Sequence, residues 1–237
     1  MAIPSIKCQN CGINQLCLPV MLADAEVEHL DGIVQRTKPL DKGSILYRVG
    51  DTFNAIYAVR SGCLKSYTIS ENGDEQIIGF HLPGEIIGLN AIDSQQHPST
   101  AKALETSTIC TLPYEDLDSL AADMPGLRQQ LMRIMSREIL DDQELLFLLN
   151  KKSADERLAA FLINLSARYA KRGLANDCFK LVMKKSDIAN YLGMAIETIS
   201  RLFSRLVEKD YITIERKQVN IIDMNGLSQL AGVSCHL

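Results

Sequence analysis

Apolar positions along this chain change their spacing twice. Between Gly43 and Gly88 they fall in short runs rich in β-branched and aromatic residues: Ile45–Val49, Ala55–Arg60, Leu64–Ile69 and Gln76–His81. Seven of the chain's 14 glycines interrupt this stretch. Short strands with turn signals every ~8–12 residues predict an antiparallel β-barrel or sandwich, continued by strand-like stretches at Ile86–Leu89 and Thr108–Pro113. After Pro125 the spacing becomes helical. No glycine occurs between Gly126 and Gly173, and Pro125 suits the first turn of a helix running to Lys152. Such a helix, about 42 Å long at ~1.5 Å per residue, serves as an interface or a spine. A second helix is predicted from Asp155 to about Lys171, opened by Ser153 or Asp155 as a cap.

Near the C-terminus the runs shorten again. Ser186 and Asp187 are N-cap candidates for a short helix, Ile188–Leu192; Gly193 allows a tight turn, and Ile196 opens a helix to about Glu208. Two short helices joined through a glycine turn are the helix-turn-helix signature. In the second helix Ile199, Leu202, Phe203 and Leu206 share one side, while Glu197, Ser200 and Arg201 share the other. Arginine can donate two hydrogen bonds to guanine, glutamate can accept from cytosine, and serine can do either. All three lie in the first two turns, the part a recognition helix presents to the major groove. Tyr211–Glu215 and Val219–Ile222 then alternate around Arg216–Lys217, predicting a small hairpin, or wing. An ordinary pair of surface helices shows the same local pattern. Charge separates the two readings: from Lys151 onward there are 14 Lys+Arg against 9 Asp+Glu, and before it 11 against 20. A basic end on an acidic chain suits double-stranded DNA as partner.

A chain of 237 residues holds one large domain or two smaller ones. With 46% hydrophobic and 23% charged residues its composition is that of an ordinary soluble protein. No apolar run is long enough to span a bilayer, and Lys7, Gln9 and Asn10 interrupt any leader, so a cytoplasmic location without membrane contact is expected. Seven cysteines, an odd number, argue against a full disulfide framework. Cys8, Cys11 and Cys17 form C-x2-C-x5-C in a polar loop that offers little core to pack into. Zinc held by four cysteines usually draws on a second C-x2-C pair, which is absent. An iron–sulfur cluster tolerates a remote fourth thiolate. A thiol oxidoreductase using Cys8 and Cys11 wants a βαβ context, and none is visible. With no catalytic motif and four scattered histidines, an enzyme is not expected. Spacing leaves the fourth ligand open among Cys63, Cys110, Cys178 and Cys235.

The spacing along the long helix predicts a dimer switch. Met132, Met135, Ile139, Leu146 and Leu149 keep coiled-coil spacing, and the register puts Asp142 in the seam. In a two-fold homodimer that carboxylate meets its own copy. At roughly 5 Å and an effective dielectric near 20 the pair repels by about 3 kcal/mol. Turning to solvent, or pairing with Arg137 or Lys151, is the alternative for Asp142.

The order of barrel, long helix and helix-turn-helix resembles the cyclic-AMP receptor protein superfamily. Within it, the chain resembles the oxygen-responsive fumarate and nitrate reduction regulators from Cys8 to Gly232. The resemblance is carried by C-x2-C-x5-C, Gly73-Asp74-Glu75-Gln76-Ile77, Leu104-Glu105-Thr106-Ser107, Asn190-Tyr191-Leu192-Gly193 and Glu197-Thr198-Ile199-Ser200-Arg201. It implies an α+β fold in four parts: a cysteine-rich cluster-binding segment (1–30), a cyclic-nucleotide-binding-like β-roll (31–124), a dimerisation helix (125–152) and a winged helix-turn-helix (153–237). It also implies Cys110 as fourth ligand of a [4Fe-4S] cluster, a homodimer along the long helix, where the switch read above places Met135, Ile139, Asp142 and Leu146, and TTGAT-N4-ATCAA sites read by Glu197, Ser200 and Arg201. In such regulators oxygen converts the cluster to [2Fe-2S] and the dimer falls apart. The loop at Gly73 resembles one that touches RNA polymerase, although Glu71 and Asp74 also suit a plain β-turn. Nucleotide-binding relatives follow their Gly-Glu with an Arg-Ser pair. Here Gly84-Glu85 is followed by His97-Pro98-Ser99-Thr100, so no cyclic nucleotide is expected.

Overall fold

The computed structural model describes residues 6–232, and the chain divides between Leu140 and Asp141 into two units. That division falls inside the long helix.

The first unit holds α1 (Asp24–Ile33), then β1 (Gln35–Arg36), β2 (Ile45–Tyr47), β3 (Ala55–Ser61), β4 (Leu64–Ile69), β5 (Glu75–His81), β6 (Ile86–Ile87), β7 (Thr100–Ala103) and β8 (Thr108–Pro113). After these come α2 (Tyr114–Asp123) and the start of α3 (Pro125–Lys151). The strands form two antiparallel four-stranded sheets, ordered β1-β8-β3-β6 and β2-β7-β4-β5. Two predicted strands end early: β2 stops at Tyr47, and β6 stops at Ile87, where Gly88 turns the chain into a short 3-10 segment.

Strand β3 shows why its sequence is apolar almost throughout. Ile56 and Ala58 face a core shared with Leu30, Leu117, Met124 and Leu127 of the helices, while Val59 faces a second core with Tyr47, Leu64, Ala101 and Ile109. Successive side chains point to opposite sides of a strand, and here both sides are dry. Helix α1 begins with acidic residues near its positive end, and Glu26 accepts the N–H of Ala23 at 2.8 Å.

The second unit contains the end of α3, then α4 (Ala154–Lys171), β9 (Cys178–Lys180), α5 (Lys185–Tyr191), α6 (Ile196–Glu208), β10 (Ile212–Glu215), β11 (Gln218–Ile221) and α7 (Met224–Ala231). Ser153 caps α4 in a reciprocal box: its hydroxyl accepts from Glu156 N–H at 3.4 Å, and Glu156 accepts from Ser153 N–H at 2.8 Å. These bonds hold the Glu156 carboxyl down at about 2. Helix α5 starts earlier than expected. Lys184, not Ser186 or Asp187, is its N-cap residue, and Asp187 reaches back from the first turn to accept the Lys184 N–H at 3.2 Å. The wing is a three-stranded sheet, β10-β11-β9, rather than a bare hairpin. No helix among the described residues is long and apolar enough to cross a membrane.

Arg157, in the first turn of α4, ties this unit together. Its guanidinium donates to the carbonyls of Leu149 (2.7 Å) and Lys152 (3.0 Å) at the end of α3, and to that of Leu192 (3.2 Å) before the turn between α5 and α6. A cation suits a helix C-terminus, where the last carbonyls lack partners. Arg157→Gln should destabilise this unit by about 2–4 kcal/mol, since charge-assisted bonds are lost and half-buried carbonyls are left unmet. Urea unfolding followed by circular dichroism checks this; an unchanged midpoint would refute it.

Candidate cluster site and DNA interface

Three of the cysteines enter on a loop built from two 3-10 turns, Cys8–Asn10 and Asn14–Leu16. Backbone bonds within the loop, Cys11 N–H to Cys8 C=O and Asn14 N–H to Cys11 C=O, curl it back on itself. The loop sits close against the β-roll at Gly84, whose φ is +93°. A Cβ added there would stand 2.7 Å from Cβ of Leu16, so only glycine allows this approach. Past Cys17, Leu22 lies against Gly126 in the first turn of α3, 3.3 Å from where a Cβ would stand.

Cys8, Cys11, Cys17 and Cys110 line one pocket, walled by Leu18, Leu30, Val34, Ala58 and Leu112, with Arg60 also at its edge. Cys110 lies on β8, paired in register with Ala58 on one side and Arg36 on the other. Of the other cysteines, Cys63 is buried in the β-roll. Cys178 belongs to β9 in the second unit, where Gln218 donates to its sulfur at 2.7 Å. Cys235 lies outside the described residues.

Burial dominates the chemistry of these thiols. It pushes Cys8 up to about 12, reinforced by Asp31 and opposed by Arg36. Cys17 is likewise pushed up to about 12 by burial, with Cys110 and Cys11 adding to the effect. Cys110 is raised by burial, against the pull of Arg36 and Arg60. Among the described residues no three His, Cys, Asp or Glu side chains are grouped so as to hold a metal ion. The four sulfurs are spread around a shared pocket instead. As a donor set they are all soft, with apolar walls and no competing imidazole or carboxylate in the lining. That chemistry fits an iron–sulfur group.

In the second unit α6 sorts as its sequence predicts. Ile199, Leu202, Phe203 and Leu206 are buried, Glu197 and Arg201 are exposed, and Ser200 is half-exposed. Arg201 folds back to its own helix, donating from Nε to the Glu197 carbonyl at 3.3 Å. Gly193, at φ +63°, makes the turn between α5 and α6. Arg205 holds α6 to the first turn of α4 through both Asp155 oxygens, at 2.7 and 2.9 Å. Lys185 lies over the Phe203 ring, 5.2 Å from its centroid. Arg216, at the tip of the wing, takes φ +57°.

Helix α3 carries an uncovered apolar strip. Met132 (59%), Ile139 (58%), Leu146 (63%) and Phe147 (58%) are largely exposed, and Asp142 is exposed between them. Phe147 and the exposed Leu140 widen the strip beyond the predicted seam. Met135 is half-buried against the first unit's helix-side core, together with Leu131 and Ile134. Gly73, at φ +85°, forms the exposed turn between β4 and β5, where Asp74 N–H donates to the Ser70 hydroxyl.

Residues 37–124 match the family model of the cyclic nucleotide-binding domain, and residues 156–230 that of the Crp-like helix-turn-helix domain. The fumarate and nitrate reduction regulatory protein of Vibrio cholerae is 52% identical over 230 residues, covering 97% of this chain and 92% of that protein. Its counterpart in Escherichia coli K12 is 51% identical over 228 residues, covering 96% and 91%. Among solved structures, FixK2 from Bradyrhizobium japonicum superposes with a TM-score of 0.77 at 25% identity, covering 85% of this chain and 100% of that one. Identity above one half along nearly the whole length leaves no room for a merely shared fold: the chain belongs to the fumarate and nitrate reduction regulatory protein family, transcription regulators that bind DNA through a Crp-like helix-turn-helix.

Proposed function

We propose that this chain is a cytoplasmic oxygen-sensing regulator of the anaerobic response, with a [4Fe-4S] cluster on Cys8, Cys11, Cys17 and Cys110 controlling its affinity for DNA. The observation that carries the reading is the shared pocket: these four cysteines line it, while Cys63 and Cys178 lie elsewhere. Conversion to [2Fe-2S] by oxygen is the chemistry the bound group supplies. The chain's own residues do the rest. The loop presents three sulfurs, β8 presents the fourth, and the apolar walls keep water from them.

The homodimer forms along the apolar strip of α3, with Met135, Ile139 and Leu146 in the seam and Asp142 opposing the contact. Each subunit places Glu197, Ser200 and Arg201 in the major groove of one TTGAT-like half-site. Two-fold symmetry asks for an inverted repeat such as TTGAT-N4-ATCAA, with half-sites about 34 Å apart. Gly73 and its turn serve as a contact for RNA polymerase. Cyclic nucleotide is not the effector in this reading: no Arg-Ser pair follows Gly84-Glu85, and His97 in the stretch that follows is buried and stacked on Tyr47 with ring centroids 3.8 Å apart.

Protein purified without oxygen should show broad visible absorption. Cys110→Ser should lose it, while Cys63→Ser and Cys178→Ser keep it; the reverse pattern in the spectra would sink the ligand assignment. Asp142→Ala should dimerise in air without iron, with a dimer about 100-fold tighter if ~3 kcal/mol of repulsion is removed. Sedimentation finding the iron-free variant monomeric at micromolar concentration would rule that out. In the Asp142→Ala background, Arg201→Ala should lose about 1–3 kcal/mol of binding and relax the preference at the half-site guanine alone. Titration against every single-base variant of the site tests it, and a uniform loss would move Arg201 to the phosphate backbone.

A further inference from the structure

The cysteine pocket has a charged brace that the ligand set itself does not account for. Asp31 on α1 and Arg36 on β1 form an ion pair, each side chain only 15% exposed. The Asp31 oxygen that meets Arg36 also accepts the backbone N–H of Cys8, at 2.7 Å. The guanidinium nitrogen that meets Asp31 lies 3.8 Å from the Cys8 sulfur. On its other side, Arg36 stands directly across from Cys110 in the β1–β8 register. Its Nε is buried and has no hydrogen-bond partner. A single cation thus reaches both the first cysteine of the loop and the strand of the remote one, with a buried donor still unused.

We propose that Arg36, positioned by Asp31, is the counter-charge of the four-cysteine site and the clasp that holds the Cys8 loop against the Cys110 strand. The inference rests on the four-cysteine reading above. An iron–sulfur core bound by four thiolates carries net negative charge, and in apolar surroundings a nearby fixed cation stabilises it strongly. Hydrogen bonds and charge at the sulfurs also set the reduction potential: less positive charge makes the cluster harder to reduce. Arginine suits the role because one nitrogen of its planar fork meets both Asp31 and the Cys8 sulfur while the buried Nε–H remains available. Arg60 lines the same pocket from β3 and adds positive charge, but the Asp31 bond to Cys8 N–H couples Arg36 to the loop backbone.

The test uses the full chain with Arg36→Gln, Arg36→Lys and Asp31→Asn, each checked for folding by circular dichroism. In the iron-free form, cobalt(II) titration followed by thiolate charge-transfer absorption should show Arg36→Gln binding about 10–100-fold more weakly than the parent. Arg36→Lys should recover most of that loss, and Asp31→Asn should fall between. With the cluster reconstituted anaerobically, the midpoint potential should move negative in Arg36→Gln and return toward the parent in Arg36→Lys. Parental cobalt affinity and potential in Arg36→Gln would overturn the proposal. Equal losses in the Gln and Lys variants would overturn it too, reducing Arg36 to a packing role. Failure of the underlying ligand reading is separately visible, because Cys110→Ser would then bind cobalt as tightly as the parent.

Discussion

Moving a thiolate out of water is unfavourable, and here four sulfurs face one apolar pocket. Three of the four respond by holding their protons more firmly, Cys8 and Cys17 up to about 12. Whatever binds them must bring enough positive charge to displace those protons. This constraint explains features that otherwise look unrelated. The loop has to lie tightly on the roll, which Gly84 permits under Leu16. The segment leaving Cys17 has to be held in place, and it runs directly against the first turn of α3 at Gly126. The segment leaving the loop thus lies directly against the start of the helix that carries the apolar strip.

Two arginines solve similar problems at two joints. Arg36 meets sulfur and carboxylate where the loop, α1 and the strand of Cys110 converge. Arg157 meets three carbonyls where α3 ends, α4 begins and the helix-turn-helix turns. In each case separate segments present negative or electron-rich groups to one half-buried place, and a planar cation with several donors satisfies them together.

The sequence reveals the elements that repeat a simple period. The β-branched runs between glycines are strands β3, β4 and β5, and α6 sorts into faces as its spacing demands. Elements without such a period leave no comparable signal. Strand β7 is built around Ala101 and Ala103, small residues that fit where the sheet is crowded but carry little strand propensity. Helix α2 follows β8 without a gap, so no turn announces it. Helix α7 did leave a signal, an Asp223 cap whose side chain accepts from Gly226 N–H and a closing Gly232 at φ +64°. Cys63 and Cys110 look alike in sequence because each sits beside or within a strand. Parity separates them once the sheet is known: Cys110 shares its side with Leu112, toward the helices and the loop, whereas Ile109 faces the roll interior. The Asp31–Arg36 brace leaves no motif, since it exists only when β1 pairs with β8.

On the proposed function, α3 would link the chemistry of the pocket to the association of two subunits. Near its start it packs against the loop segment at Leu22 and, through Leu131, Ile134 and Met135, against the first unit's core. Within the second unit, its last turn is bonded by Arg157, whose guanidinium also meets the Leu192 carbonyl ahead of α6. Between these ends lies an apolar strip that burial would stabilise, interrupted by a carboxylate that burial would penalise. A strip without Asp142 would favour permanent association, and a strip with more charge would forbid it. With one carboxylate the proposed association would be open to a coupling of about 1–3 kcal/mol, which changes an affinity by about 5–150-fold. On the proposed function, that is enough for DNA binding to follow the state of the pocket, because only a dimer would offer two copies of α6 to one inverted repeat.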